Sequence, residues 1–329
     1  MTVKEAFDKF SQLRIAVVGD VMVDAYIRGK VTRISPEAPV PIVSFSIKED
    51  RLGGAANVAL NLVALGVDTQ LISVIGQDEG GESLVSLLTK EKIASTGLVK
   101  SPNRKTTIKT RIIGNNQHIL RVDTEQTNDI LTDEENALIE SVKKAIEAGL
   151  DAIILEDYNK GVLTQKVISE IVQLANDNNI ITTVDPKKTN FLSYKGVTLF
   201  KPNLKELKEG LGRDFPFEDF GLFEQAVIDL EGALENKITF VTLSEHGVYV
   251  KKGIERKHIH AHLRNIADVS GAGDTVIAVA TSCLAAGLQP EEMASIANIA
   301  GGLVCEMSGV VAIDKNSLLE EVLNEGNGH

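Results

Sequence analysis

The densest group of chemistry-bearing residues is Asp268-Val269-Ser270-Gly271-Ala272-Gly273-Asp274-Thr275, followed at once by a run of small residues over 276–288. Glycines just before a helix let the backbone curl so that several N–H groups converge at the helix N-terminus, where the dipole adds attraction for an anion. The pattern predicts an anion hole formed by Gly271, Ala272 and Gly273. Asp274 then stands at the helix start, where a carboxylate can take a proton from a hydroxyl attacking phosphorus. Taken alone, a Gly-x-Gly is as well explained by a turn ahead of a helix-terminal charge.

A second glycine pair moves that balance. Arg51-Leu52-Gly53-Gly54-Ala55-Ala56-Asn57 leads into a small-residue helix over 58–65. Gly53 and Gly54 permit close backbone approach to a ligand, and Asn57 can hydrogen-bond sugar hydroxyls. Upstream, Gly19-Asp20-Val21-Met22-Val23-Asp24 is read as ending the first strand with two carboxylates, at the place where open α/β sheets bind ligands. In Lys201-Pro202-Asn203-Leu204-Lys205-Glu206, Asn203 and Glu206 lie one helical turn apart and share a face. That suits contacts to the hydration shell of a magnesium ion, with a helix capping box as the competing reading. His258, His260 and His262 alternate as on a strand, but without nearby cysteine or a fourth ligand they read as a polar strand face.

The elements that must position these residues follow a simple rhythm. Short β-branched runs at 14–19, 70–75, 152–156, 180–184 and 238–243 alternate with segments of helical period such as 134–148 and 165–175. The alternation predicts a mostly parallel sheet with helices on both faces. Two stretches break it: 39–47 alternates apolar and polar residues, and 106–122 reads as two strands around a turn at 114–116. Together they predict a small accessory sheet that closes over a ligand, another subunit, or both. The polar tail 324–329 is expected to be disordered.

Composition narrows the class. Of 329 residues, 43% are hydrophobic and 24% charged, which supplies a sizeable core and excludes a disordered or fibrous chain. No apolar run approaches the ~20 residues needed to cross a bilayer, and the N-terminus mixes Lys, Glu and Asp where a signal peptide needs an apolar segment. A cytoplasmic location is expected. Cys283 and Cys305, both in apolar helical stretches, read as buried free thiols, so no cysteine-based metal site is expected. The net charge of -12 argues against nucleic-acid or anionic-membrane partners, so any phosphate must be held by local donors.

In this order the pieces resemble the ribokinase-like (PfkB-type) carbohydrate kinases: an N-terminal Gly-Gly-x-x-Asn, a middle Asn-x-x-Glu and a C-terminal Gly-Ala-Gly-Asp, spanning about 14–309. Four stretches resemble the D-glycero-β-D-manno-heptose-7-phosphate kinases of bacterial lipopolysaccharide-core synthesis. They are Ser35-Pro36-Glu37-Ala38-Pro39-Val40-Pro41, the Arg51 to Asn57 segment, Glu156-Asp157-Tyr158-Asn159-Lys160-Gly161 and Val184-Asp185-Pro186-Lys187, the first being the most specific. The resemblance implies a single three-layer α/β domain over 1–329, a mostly parallel central sheet, a small β-sheet lid from about 27–51 and 105–122, and a homodimer through that lid. It implies ATP and Mg²⁺ as cofactors and phosphorylation of O1 of the heptose 7-phosphate, toward ADP-heptose.

By the same resemblance Asp274 is the general base for the anomeric hydroxyl, and Gly271, Ala272 and Gly273 hold charge as the γ-phosphoryl moves. Asn203 and Glu206 belong to the magnesium and phosphate shell, and Asp24, Gly53, Gly54 and Asn57 hold the sugar. Thr242, Ser244 and Gly247 resemble the nucleotide-side loop, with Asn298 beside adenine. Asp268 and Ser270 resemble a monovalent-cation site, which leaves activation by potassium open. The cations for the sugar's own phosphate are drawn from Arg33, Arg51, Lys109, Arg111 and Arg121, whose alternative role is a solvated charge on an exposed strand.

Two positions depart from that subfamily: Ser270 stands where Thr is usual, and Glu156 where Ser is usual. Many relatives are fused to a nucleotidyltransferase domain marked by His-x-Gly-His, which does not occur here, so the kinase step alone is expected. Rival readings are another PfkB-type sugar or sugar-phosphate kinase, and a non-catalytic nucleotide- or sugar-binding regulator on the same fold.

Overall fold

Runs rich in Val, Ile and Thr form strands, and segments with a 3.6-residue apolar period form helices. The computed structural model describes residues 1–262 and 264–326. Along them lie α1 (Val3–Lys9), β1 (Arg14–Gly19), β2 (Val21–Ile34), β3 (Pro41–Gly54), α2 (Ala55–Ala64), β4 (Asp68–Gly76), α3 (Glu79–Lys90), β5 (Ala94–Ser101), β6 (Thr107–Gly114), β7 (Gln117–Thr124) and α4 (Thr132–Glu147). There follow β8 (Ala152–Glu156), α5 (Gln165–Asp177), β9 (Ile181–Asp185), β10 (Leu199–Phe200), α6 (Leu204–Leu211), α7 (Phe220–Leu234), β11 (Ile238–Thr242), β12 (Val248–Lys252) and β13 (Glu255–Ile259). The chain closes with α8 (Ala272–Ala286), α9 (Pro290–Cys305) and α10 (Lys315–Gly326).

The large sheet has the order β13-β12-β11-β10-β9-β8-β1-β4-β5, parallel from β11 to β5 and antiparallel through β12 and β13. Successive side chains of a strand point to opposite faces, so β1 divides its residues between two cores. Ile15 and Val17 pack with Leu62, Ile277 and Ile296 of α2, α8 and α9, while Ala16 and Val18 pack with Leu138, Ile171 and Leu230 of α4, α5 and α7. The expected layering is present. Helix α5 shows how locally it is specified: Thr164 caps its start by accepting the N–H of Val167 at 3.2 Å, and Val167, Ile168, Ile171, Val172 and Ala175 form one buried stripe.

The second sheet has the order β3-β2-β6-β7. The accessory strands expected at 39–47 and 106–122 are β3, β6 and β7, with Asn115 and Asn116 at φ 51° and 64° supplying the paired left-handed conformation a tight hairpin needs. The alternation of residue types did not single out β2, the strand that pairs with both β3 and β6, although the lid segment expected at about 27–51 begins within it. Asp24 therefore does not end the first strand; it lies on β2, in the second sheet. The tail also differs from expectation: residues 324–326 continue α10, and 327–329 lie outside the described residues. Cys283 and Cys305 are buried free thiols. No helix among the described residues is long and apolar enough to cross a membrane.

Candidate active site

From β1 the chain reaches β4 on one side, and from β8 it reaches β9 on the other, so the strand order reverses at β1 and β8. A crevice forms outside the carboxyl ends of parallel strands at such a point. Three acids stand there: Asp20 just after β1, Glu156 at the end of β8 and Asp185 at the end of β9. Asp20 is turned inward and accepts the N–H groups of Tyr158 at 2.8 Å, Lys160 at 2.9 Å and Val162 at 3.1 Å. Burial pushes its carboxyl up in spite of those three donors. Asp20 thus shapes the loop after β8, and that loop delivers Tyr158.

Asp274 lies in the first turn of α8, only 3% exposed. Its Oδ2 accepts the Asn57 amide at 2.7 Å and its Oδ1 accepts the Tyr158 hydroxyl at 2.8 Å. Burial pushes the Asp274 carboxyl up to about 6, against the lowering effect of the Asn57 and Tyr158 donors. A carboxylate with that affinity for protons, held at an anion-favouring helix end, is suited to general-base work near neutrality. Gly271 caps the helix at φ 80°, and a Cβ there would lie 2.9 Å from the Asn57 amide nitrogen. The Ala272 N–H makes a long 3.3 Å bond to the Val269 carbonyl, so of the expected anion-hole donors it is already engaged.

The glycine pair serves the protein's own backbone. Gly54 has φ 58°, and a Cβ there would meet the Asp20 carbonyl oxygen at 2.4 Å; one on Gly53 would meet Asp24 Oδ2 at the same distance. This crowding sets β3 against β2 so that Asn57, in the first turn of α2, reaches Asp274. The Asn57 amide is therefore committed to the carboxylate, where the sequence reading gave it to the sugar.

Around Asp185 lies a charged cluster. Lys201 reaches it at 2.9 Å and Lys187 at 3.3 Å, and Lys187 also meets Glu206 at 2.6 Å. Burial alone would lower the Lys187 ammonium, but Asp185, Glu206 and Glu156 raise it well above its usual range, so it stays charged. Asn203 and Glu206 form the capping box of α6, each receiving the other's N–H at 2.8 Å. The cap uses Glu206 Oε2 and leaves Oε1 to Lys187, so the capping and charged-cluster roles coexist.

At the start of α6, Asn203 bridges to Thr242, which brings the loop of Thr242, Ser244 and Gly247 beside it. Gly247 has φ 86°, and a Cβ there would lie 2.0 Å from the Ile259 carbonyl oxygen. Asn298 of α9 donates to the His260 carbonyl at 3.0 Å and ties that same region. Asp268 accepts N–H groups from Ser270 at 2.9 Å and Gly309 at 3.0 Å. Burial would raise its carboxyl, but the Ser270 and Gly309 donors outweigh it and hold it below the usual range. The three histidines do not share a strand face: His258 lies on β13, beyond whose end come His260 and His262, and His262 faces Glu325 at 3.2 Å.

The five candidate phosphate cations separate. Arg51 and Arg111, with Arg28, surround the Tyr26 ring at 5.2, 5.3 and 5.8 Å, and Arg111 pairs with the buried Asp24. Asp24 is thus occupied by a cation of its own sheet. Lys109 lies 5.9 Å over the Tyr158 ring, and burial, reinforced by Lys160 and Arg121, pushes its ammonium below the usual range. Arg33 is exposed near the end of β2 and Arg121 is exposed and closes on Asp123 of its own strand at 2.9 Å, so the structure does not bring these two to Asp274.

Sequence reasoning gave no role to Tyr158, Asp185, Lys187 or Lys201. A usable signal was present, because β1, β8 and β9 each end at or just before an acid: Gly19-Asp20, Glu156-Asp157 and Val184-Asp185. Acids at the ends of neighbouring parallel strands converge at one crevice.

The pattern of the pfkB family carbohydrate kinases matches residues 12–316. The chain belongs to that family. This pfkB-family kinase is 37% identical over 321 residues to the bifunctional protein HldE of Trichlorobacter lovleyi, and 40% identical over 311 residues to that of Methylobacillus flagellatus. Those alignments cover 97% and 94% of the kinase but only 65% and 63% of the two relatives, so the chain spans just under two thirds of their length. Its fold is ribokinase-like. Phosphofructokinase-2 from Escherichia coli, in complex with potassium, superposes with a TM-score of 0.79 at 19% identity, covering 95% of this chain and 99% of that one. Ribokinase from Arabidopsis thaliana, complexed with ribose and ATP, gives 0.73 at 18% identity, covering 94% and 98%.

Proposed function

We propose that this sugar kinase transfers the γ-phosphoryl group of ATP to O1 of D-glycero-β-D-manno-heptose 7-phosphate, giving the 1,7-bisphosphate and ADP. The observation that carries the chemistry is Asp274, buried at the start of α8 and oriented through both oxygens by Asn57 and Tyr158. Asp274 takes the proton of the O1 hydroxyl as O1 bonds to the γ-phosphorus, and the bond from that phosphorus to the bridging oxygen of ADP breaks. Gly271 and Gly273 direct backbone N–H groups at the charge that spreads over the transferring oxygens.

The choice of sugar rests on the four heptose-kinase-like stretches and on the two HldE relatives. Arg51, Arg111 and the half-buried Lys109 are the cations offered to the sugar's phosphate, and the second sheet, acting as a lid, keeps water from the donor. Magnesium, when bound with ATP, neutralises phosphate charge. Asn203 and Glu206 already accept N–H and ammonium groups, which fits contact through the ion's waters better than direct ligation. Asp268 and Ser270 are the residues offered to a monovalent cation. The whole chain is read as one kinase domain working in the cytoplasm, as a homodimer formed through the lid.

The test is ADP release by the purified protein with ATP and Mg²⁺, in K⁺ or Na⁺, on the heptose 7-phosphate, fructose 6-phosphate, ribose or no sugar. Preferential turnover of the heptose phosphate, with the C7 phosphate retained in a bisphosphate product, is expected. A preference for another sugar would overturn the substrate and leave Asp274 its role; ATP binding without turnover on any sugar would make the protein a regulator.

A further inference from the structure

Arg51 of β3 reaches out of the second sheet to the segment that follows α9. Its Nη1 donates to the Val310 carbonyl at 3.1 Å and, at a longer 3.4 Å, to the Ser308 carbonyl, 257 residues away in the chain. Between those carbonyls lies Gly309, at φ 77°, where a Cβ would stand 2.5 Å from the same Nη1, so only a glycine admits the guanidinium. The turn at 308–310 touches the anion hole twice. The Gly309 N–H donates to Asp268 Oδ2 at 3.0 Å, while Asp268 Oδ1 accepts the Ser270 N–H at 2.9 Å. Val310 is buried against Gly271, where a Cβ would meet its Cγ1 at 3.2 Å.

We propose that Arg51 is a positioning residue for phosphoryl transfer: through the turn at 308–310 it holds Gly271, and with it the N–H groups of the anion hole, in place beside Asp274. Donors stabilise a developing charge only if they are fixed before it appears, and a misplacement of about 1 Å can cost as much as ~10²-fold in rate. The contact needs the shape of the guanidinium as well as its charge. Nη1 serves the two carbonyls, while Nη2 lies 3.6 Å from Glu49, beyond hydrogen-bond reach, and stays open to a phosphate. Arg51 can therefore meet the sugar's phosphate without releasing the turn, which a lysine, with one nitrogen, cannot do in the same geometry. The inference rests on the anion hole of the proposed reaction and on no particular sugar.

Hydrogen–deuterium exchange on the full chain without ligands is the direct test. Arg51→Ala should speed exchange about 10-fold or more in peptides spanning 268–272 and 308–311, and Arg28→Ala, which removes a neighbouring cation at Tyr26, should leave those peptides unchanged. In kinetics with whichever sugar the wild type turns over, Arg51→Ala and Arg51→Lys should each lower kcat by about 10-fold, with the KM for ATP within about 2-fold. Gly309→Ala displaces the guanidinium without removing it, so it should lower kcat in the wild type and much less in the Arg51→Ala background. Should Gly309→Ala fail to fold by circular dichroism, the two Arg51 variants decide. Unchanged exchange at the turn in Arg51→Ala overturns the inference. So does a raised sugar KM with kcat intact, which would make Arg51 a phosphate ligand only, and so does full recovery of kcat by Arg51→Lys. A wild type inactive on every sugar would count against the proposed function and leave the exchange measurement to decide this one.

Discussion

At the scale of single residues, the site is a compromise between stability and chemistry, and Asp274 shows it most directly. Its burial lets it hold a proton up to about pH 6, whereas an unfolded aspartate releases it near 3.8. A group whose folded pKa is raised contributes its full stability below the unfolded value and loses it as pH rises through the folded one. The native state therefore gives up on the order of 2–3 kcal/mol between about pH 4 and pH 7 to keep this carboxylate ionised. Asp274→Asn removes that cost together with the base. In EDTA its Tm advantage over the wild type should be larger at pH 8 than at pH 4, while kcat should fall at least ~10²-fold with ATP affinity within about 2-fold. Near-normal turnover would remove Asp274 from the base role. A Tm difference independent of pH would show that the carboxylate is not strained by burial.

At the scale of elements, what positions Asp274 comes from two other parts of the chain, and only one was legible. The Gly53-Gly54 signal pointed to a close approach at the start of α2, and the close approach is there, though it is to the Asp20 and Asp24 region of the protein itself. Asp20 carried a weaker signal. An acid after a strand is equally an acceptor for a ligand or for the chain's own N–H groups, and only the loop's path decides between them. Here it accepts three N–H groups from the loop after β8, none of which lies near it in sequence. Asp20→Ala would orphan all three, so it should cost about 3 kcal/mol or more in urea denaturation. It should also depress kcat, because Tyr158 leaves Asp274 when the loop relaxes. A stable variant with normal turnover would mean that the loop is held by its other contacts.

At the scale of the whole molecule, the parallel sheet and its two helical layers were readable because local period and burial agree along β1, β8, β9 and β11. The second sheet was readable only in part. Strands β3, β6 and β7 alternate cleanly or are joined by the Asn115-Asn116 turn, whereas β2 starts within the apolar run that follows β1 and has no turn signal to announce it, only Asp20 between them. Charged side chains of this sheet posed a similar difficulty, since an arginine on a strand gives no sign of whether it turns inward to a carboxylate, as Arg111 does to Asp24, or to solvent, as Arg33 does. The same sheet exposes large apolar side chains that a chain on its own would leave in water: Phe45 is 68% exposed, Leu120 56% and Val122 48%. Exposure of large apolar side chains on a sheet favours burial against another surface, and a two-fold partner presents the same residues in return. If the lid is the dimer interface, Phe45→Glu with Leu120→Glu buries like charges against each other across the two-fold axis. Light scattering after size exclusion should then report the mass of a single chain, about 35.5 kDa, where the wild type runs at twice that, with Tm changed by only a few degrees. A double variant that remains dimeric would place the interface elsewhere, and a wild type that runs as a single chain would leave these side chains to the closing of the lid over the sugar.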